Sequence, residues 1–183
     1  MIKRFVKCHF VLLMFSVAII IDSNFAEAEK SPSPESIKLT EINNTWYEDW
    51  DEGMAKANKQ KKPILVDFYT NSCPGCEAMH KTTFTSPEIK KRLAADWISI
   101  KINLSNTHKK CTYDSKSMNY YKLGKYFRIT GVPAFIFFDR EGKPVQSVVG
   151  YKDKDLFGSI LDYMKDEAYK KGISFKEYRK SGS

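Results

Sequence analysis

Two cysteines three positions apart, in Cys73-Pro74-Gly75-Cys76, have the type and spacing that most directly allow chemistry in this chain. Thiols so placed can close and reopen a disulfide. A lone C-x-x-C is ambiguous, because zinc half-sites share the spacing. The flanking residues narrow the reading. Ile64-Leu65-Val66-Asp67-Phe68-Tyr69 is a nearly continuous apolar run, the pattern of a central strand buried on both faces. Pro74 suits the first position of a helix, where a missing N–H costs nothing, and Glu77, Ala78, Met79 and His80 carry that helix toward Thr83. Cys73 then faces unpaired backbone N–H groups and the positive end of a helix dipole, and both favour its thiolate. Cys76 lies on the same side of that first turn. Cys73 would attack a substrate disulfide, and Cys76 would attack the resulting mixed disulfide and release the reduced substrate.

Asp67 stands in the apolar run before the dithiol. An ionised, unpaired carboxyl is costly there. It either reaches a solvated strand edge, or it is a buried carboxyl of raised pKa that exchanges the proton of Cys76. His80 follows Cys76 by four residues and is either a modulator of the dithiol or a half-exposed helix residue. Cys111 follows His108-Lys109-Lys110. Cationic neighbours lower a thiol pKa, so it is either a reactive third thiol or a free, buried one. The rival reading of these residues is a metal module, with Cys73, Cys76, Cys111 and a histidine around zinc, or Met79 and His80 helping to bind a softer ion. It leaves the strand and Asp67 unexplained, and we assign no metal and no bound cofactor.

The elements that must hold these groups follow from periodicity. A helix is predicted over Trp46–Lys62, with Trp50, Met54 and Ala57 on one face and Pro63 as its stop. Ser86-Pro87-Glu88 starts another helix, with Ile89 and Leu93 inward. Trp97 to Leu104 alternates as a strand, Asn106 to Thr112 reads as a polar loop, and Ser115 to Phe127 as a helix. Ala134–Phe138 is a strand that turns through Asp139–Lys143 into an antiparallel Val145–Tyr151. Asp155–Tyr169 is an amphipathic helix, and Ser174 with Glu177 forms a capping box for a short terminal one. This order gives an α/β fold with a mixed sheet and helices on both faces.

The chain has 183 residues and a net charge of +8. Its lysines are spread over most segments, the pattern of a solvated surface, and we expect no nucleic-acid partner. Lys3, Arg4 and Lys7, the apolar run Phe10–Ile21 and Ala26-Glu27-Ala28 have the layout of a secretory signal peptide over residues 1–28. An uncleaved membrane anchor is the alternative. Residues 29–44, rich in Pro and Ser, read as a flexible leader, and 45–183 as one domain. After residue 28 only Cys73, Cys76 and Cys111 remain, too few for a disulfide-stapled exported fold and suited to chemistry.

Over Trp46 to Tyr169 the pattern resembles the thioredoxin fold. In thioredoxins an aspartate at the offset of Asp67 exchanges the proton of the second cysteine. A cis-proline at the position of Pro133 in Gly131-Val132-Pro133 packs beside the dithiol. The resemblance therefore implies catalytic roles for Cys73, Cys76 and Asp67, and substrate binding by Val132, Pro133, Pro74 and Gly75. Ser72 stands where the usual thioredoxin has tryptophan, the dipeptide is Pro-Gly rather than Gly-Pro, and the linker before Val132 is longer. With Thr83-Phe84-Thr85-Ser86-Pro87-Glu88, these features are more similar to exported relatives: the C-terminal domain of DsbD-type reductases and SoxW-like proteins. The implied protein is a monomeric, periplasmic or otherwise exported thiol–disulfide oxidoreductase acting on protein thiols and disulfides. The uncharged Pro-Gly dipeptide favours the reductive direction, supplied by a membrane thiol electron donor. An oxidase or isomerase of the same fold is the alternative.

Overall fold

In this computed structural model the described residues are 46–182. The expected signal peptide and leader lie outside them. Among the described residues no helix is long and apolar enough to cross a membrane.

In chain order the elements are β1 Trp46–Tyr47, α1 Trp50–Gln60, β2 Ile64–Tyr69, α2 Pro74–Lys81, α3 Pro87–Asp96 and β3 Ile98–Asn103. There follow β4 Lys110–Tyr113, β5 Lys116–Asn119, α4 Tyr120–Tyr126, β6 Ala134–Phe138, β7 Pro144–Val149, α5 Lys154–Lys165 and α6 Phe175–Ser181. The main sheet has the order β1-β3-β2-β6-β7. β3 runs parallel to β1 and β2, while β6 is antiparallel to β2 and β7. β2 is thus the central strand, and the dithiol follows its C-terminal end.

Alternation along β2 divides the core. Ile64, Val66 and Phe68 join Trp50, Ile100, Tyr120, Leu123 and Ile136 on one side of the sheet. Leu65 joins Met79, Phe84, Leu93, Phe135 and Phe157 on the other. Full burial of each such side chain contributes roughly 1.5–3 kcal/mol, so the strand is fixed from both sides. Asp67 has the parity of Leu65 and faces the side that α2 covers.

Several boundaries differ from the sequence pattern. Trp46 and Tyr47 pair with Ser99 and Ile100 as a short strand, and α1 begins only after Asp49, whose side chain accepts the Glu52 N–H. The polar loop and the front of the predicted Ser115–Phe127 helix are instead a hairpin, β4–β5, outside the main sheet. Asp114 and Ser115 turn it with φ of 51° and 59°, and α4 starts where Asn119 accepts the Lys122 N–H. Trp50 anchors the hairpin: its Nε1–H donates to the Thr112 carbonyl at 3.1 Å. α5 stops at Lys165, because Glu167 takes a left-handed φ of 50° and a 3-10 turn over Ala168–Lys171 follows. The expected capping box at Ser174 and Glu177 is formed.

Candidate active site

The loop after β2 is held before the cysteines are reached. The Asn71 N–H donates to Ser105 Oγ at 3.3 Å, and Asn103 Nδ2 donates to Asn71 Oδ1 at 2.7 Å. Cys73 is the N-cap of α2, with extended φ and ψ of −130° and 93°, and Pro74 occupies the first turn. The Cys76 N–H donates to Cys73 Sγ at 3.1 Å. A capping sulfur thus takes the place of the usual capping oxygen, so the helix start supplies a hydrogen bond and a positive dipole end to one thiol. Cys73 and Cys76 are joined in a disulfide with Cα atoms 5.2 Å apart. Cys73 retains 9% exposure and Cys76 3%, so Cys73 is the more exposed of the pair. An open cleft of about 600 Å³ lies over them, between Tyr69–Ser72 and the α2 face carrying Glu77, His80 and Lys81.

The dipeptide meets Pro133. A Cβ on Gly75 would stand 3.1 Å from Pro133 Cδ. The Val132–Pro133 peptide bond is cis, as the resemblance implies. The Pro133 carbonyl accepts the Gly150 N–H at 2.8 Å, and Gly150 has φ +85°, a conformation suited to glycine. Val149 and Tyr151 on either side are 50% and 46% exposed. This loop is fastened to α2: Tyr151 Oη lies 3.3 Å from Thr82 Oγ1, Thr83 Oγ1 donates to the Lys152 carbonyl at 2.7 Å, and the Lys152 N–H meets Met79 Sδ at 3.1 Å. Lys152 Nζ donates to the carbonyls of Val149, Gly150 and Tyr151.

Asp67 does not reach a solvated edge. It is 1% exposed, and its Oδ2 lies 3.0 Å from His80 Nε2. Among the described residues Oδ1 has no hydrogen-bond partner. Burial raises the Asp67 pKa, opposed by the hydrogen bond and charge of His80 and by the charge of Lys101. Lys101 stands opposite Asp67 in the β2–β3 register, with its own pKa lowered by burial and partly restored by Asp67. The Asp67–His80 contact is the site feature least visible in sequence. Its signal was the i, i+4 spacing of Cys76 and His80, which puts both on one helix face.

Cys111 is separate from this site. It is 2% exposed, belongs to the core cluster of Trp50 and Tyr120 across the sheet from Met79, and its Sγ lies 3.4 Å from the Met118 carbonyl. Burial first, then the charges of Asp51 and Asp49, push its thiol pKa up to about 11. The basic neighbours in sequence do not lower it, because strand pairing turns Cys111 inward while Lys110 is exposed. His108 is exposed on the loop before β4. Among the described residues no three His, Cys, Asp or Glu side chains are grouped to hold a metal ion.

Fold and site together define an α/β protein of thioredoxin architecture with a closable dithiol at the end of its central strand. The chain belongs to the thioredoxin-like domain family, whose model matches residues 50–165. It is 30% identical over 125 residues to the thiol:disulfide interchange protein DsbD of Escherichia coli O6:H1, covering 67% of this chain and 20% of that protein. DsbD of Escherichia coli K12 is 29% identical over the same length. The chain therefore spans about one-fifth of the curated relatives it matches. Among solved structures, a thioredoxin-fold protein from Helicobacter pylori aligns with a TM-score of 0.57 at 18% identity, covering 76% of this chain and 84% of that one. A thioredoxin from Thermus thermophilus aligns with a TM-score of 0.53 at 20% identity, covering 65% and 85%. These two likenesses are of fold.

Proposed function

We propose that this chain is an exported, periplasmic thiol–disulfide oxidoreductase that reduces disulfides of partner proteins through Cys73 and Cys76. The observation that carries the reading is the N-cap position of Cys73, more exposed than Cys76 and receiving the Cys76 N–H. Cys73 is the nucleophile. Its thiolate attacks a substrate disulfide, and the more buried Cys76 attacks Cys73 Sγ to release the substrate thiolate. Asp67 is the proton acceptor for Cys76. Val132 and Pro133, with Pro74 and Gly75 beneath, form the ledge for an extended substrate segment, and Val149 and Tyr151 give that ledge an apolar rim. Electrons are renewed by a membrane thiol donor, a reading supported by the likeness to part of DsbD. The signal-like N-terminus supports export.

The test is the reduction potential of the Cys73–Cys76 couple against a graded thiol buffer, together with trapping by Cys76→Ser. A potential near −270 mV and a trapped mixed disulfide with a membrane protein are the expected results. A potential near −120 mV would turn the direction to oxidase or isomerase. Absence of any reversible two-electron couple would sink the redox reading altogether.

A further inference from the structure

Asp67 is the only carboxylate among the described residues that is buried, and its two oxygens are in unlike surroundings. Oδ2 meets His80 Nε2 at 3.0 Å, while Oδ1 is buried without a partner among the described residues. The His80 side chain is 29% exposed and lines the cleft over Cys73, so one ring spans from the buried carboxylate to solvent. The ring is held in place by Tyr69 and Phe84, at centroid distances of 5.8 and 5.6 Å.

We propose that His80 is the positioning residue of the proton acceptor: it holds Asp67 by Oδ2 and leaves Oδ1 to receive the Cys76 proton. The inference rests on the assignment above of Cys76 as resolving thiol and Asp67 as its acceptor.

In the resolving step Cys76 gives its proton to the Asp67 carboxylate and attacks Cys73 Sγ. The Cys73–substrate S–S bond breaks, the Cys73–Cys76 bond forms, and the electron pair leaves on the substrate sulfur. That thiolate takes a proton from water, and Asp67 returns its own proton to solvent. Without His80, burial would keep Asp67 neutral over more of the pH range, and a neutral carboxyl cannot accept the proton. Of the other ionisable groups around the pair, Lys101 also lowers the Asp67 pKa by its charge, after the larger effects of His80. Lys101 faces Asp67 from β3, with Glu48 acting on Lys101 and on Tyr69. Glu77 and Lys81 on α2 are paired with each other. From β6 the register neighbour of Asp67 is Phe135, which does not titrate.

The experiment mixes the reduced full-length protein with dithiobis(nitrobenzoate) and follows coloured thiolate release across pH. The first burst reports attack by Cys73 and the second reports resolution by Cys76. His80→Ala is expected to leave the first burst near its native rate. It should slow the second severalfold at neutral pH and move its pH profile to higher pH, because the hydrogen bond and charge of His80 oppose the effect of burial on Asp67. His80→Gln, whose amide can still donate to Oδ2, should recover part of the neutral-pH rate. Should both variants fold with native midpoints and show the native second-burst profile, the proposal is overturned. If Cys76→Ser fails to remove the second burst, or Asp67→Asn leaves it unchanged, the underlying assignment fails instead.

Discussion

Gly75 and Pro133 meet closely: a Cβ at position 75 would lie 3.1 Å from Pro133 Cδ, a contact that even a methyl group would make tight. The first turn of α2 and Pro133 lie against each other, so in the proposed function the dipeptide between the cysteines would also be part of the surface a substrate approaches. Gly75→Ala should change stability by less than about 1 kcal/mol, because better helix propensity offsets the tight contact. Its effect should fall on exchange instead. We expect turnover of a protein disulfide to drop severalfold while reaction with a small aromatic disulfide is nearly native. Equal effects on both substrates would show that the ledge does not depend on this contact.

Asp67 makes the fold pH-dependent in a definite direction. Its pKa is raised in the folded protein, chiefly by burial. The folded state therefore holds the proton longer than the unfolded chain, and the stability contribution is full below the ordinary carboxylate pKa. It is lost as pH rises through the raised value. Asp67→Asn removes this slope. In urea titrations of the oxidised protein, the advantage of Asp67→Asn over the native chain should grow with pH across that interval. The scale is about 1.4 kcal/mol for each unit by which burial outweighs His80 and Lys101. Parallel stability curves for the two proteins would refute the burial argument.

Cys111 should be chemically silent in the native state. With its thiol pKa pushed to about 11 and only 2% of its surface exposed, the attacking thiolate is scarce and out of reach. Peptide mapping after alkylation of the reduced native protein should find Cys73 modified and Cys111 untouched until denaturant is added. Cys111→Ala should cost about 1 kcal/mol and leave exchange rates unchanged. Rapid native alkylation at Cys111 would mean that the β4–β5 hairpin opens readily.

The parts of the site that lie along one element were legible from the sequence. The apolar run Ile64–Tyr69, Pro74 at a helix start and the apolar run after Pro133 each carry a local pattern or a local cap, and the structure builds all three. The hairpin was not legible, because Lys110–Tyr113 and Lys116–Asn119 are four-residue strands of mixed polar and apolar residues with no clean alternation. Its turn uses Asp114-Ser115 at positive φ rather than a glycine pair. The Asp67–His80 contact was only half legible. Strand parity gives the side to which Asp67 points, and helix spacing gives the face of His80. Their meeting at 3.0 Å depends on how α2 lies across β2, which no local pattern encodes.

The fastening of the Gly150–Lys152 loop to α2 decides which side of an encounter must adapt. Lys152, Thr82, Thr83 and Met79 bind that loop to the helix bearing the sulfurs, and Gly150 binds it to Pro133. Ledge and dithiol are therefore tied to one another before any partner arrives, and the entropy of fitting one to the other is already lost in the free protein. The conformational freedom surrendered on contact belongs to the client. Disulfides in strands already locked into a folded core would have to come loose first, whereas those in pliable segments could lie down at once. In the proposed function, rigidity at this end of the sheet would thus act as a filter for flexibility in whatever is bound.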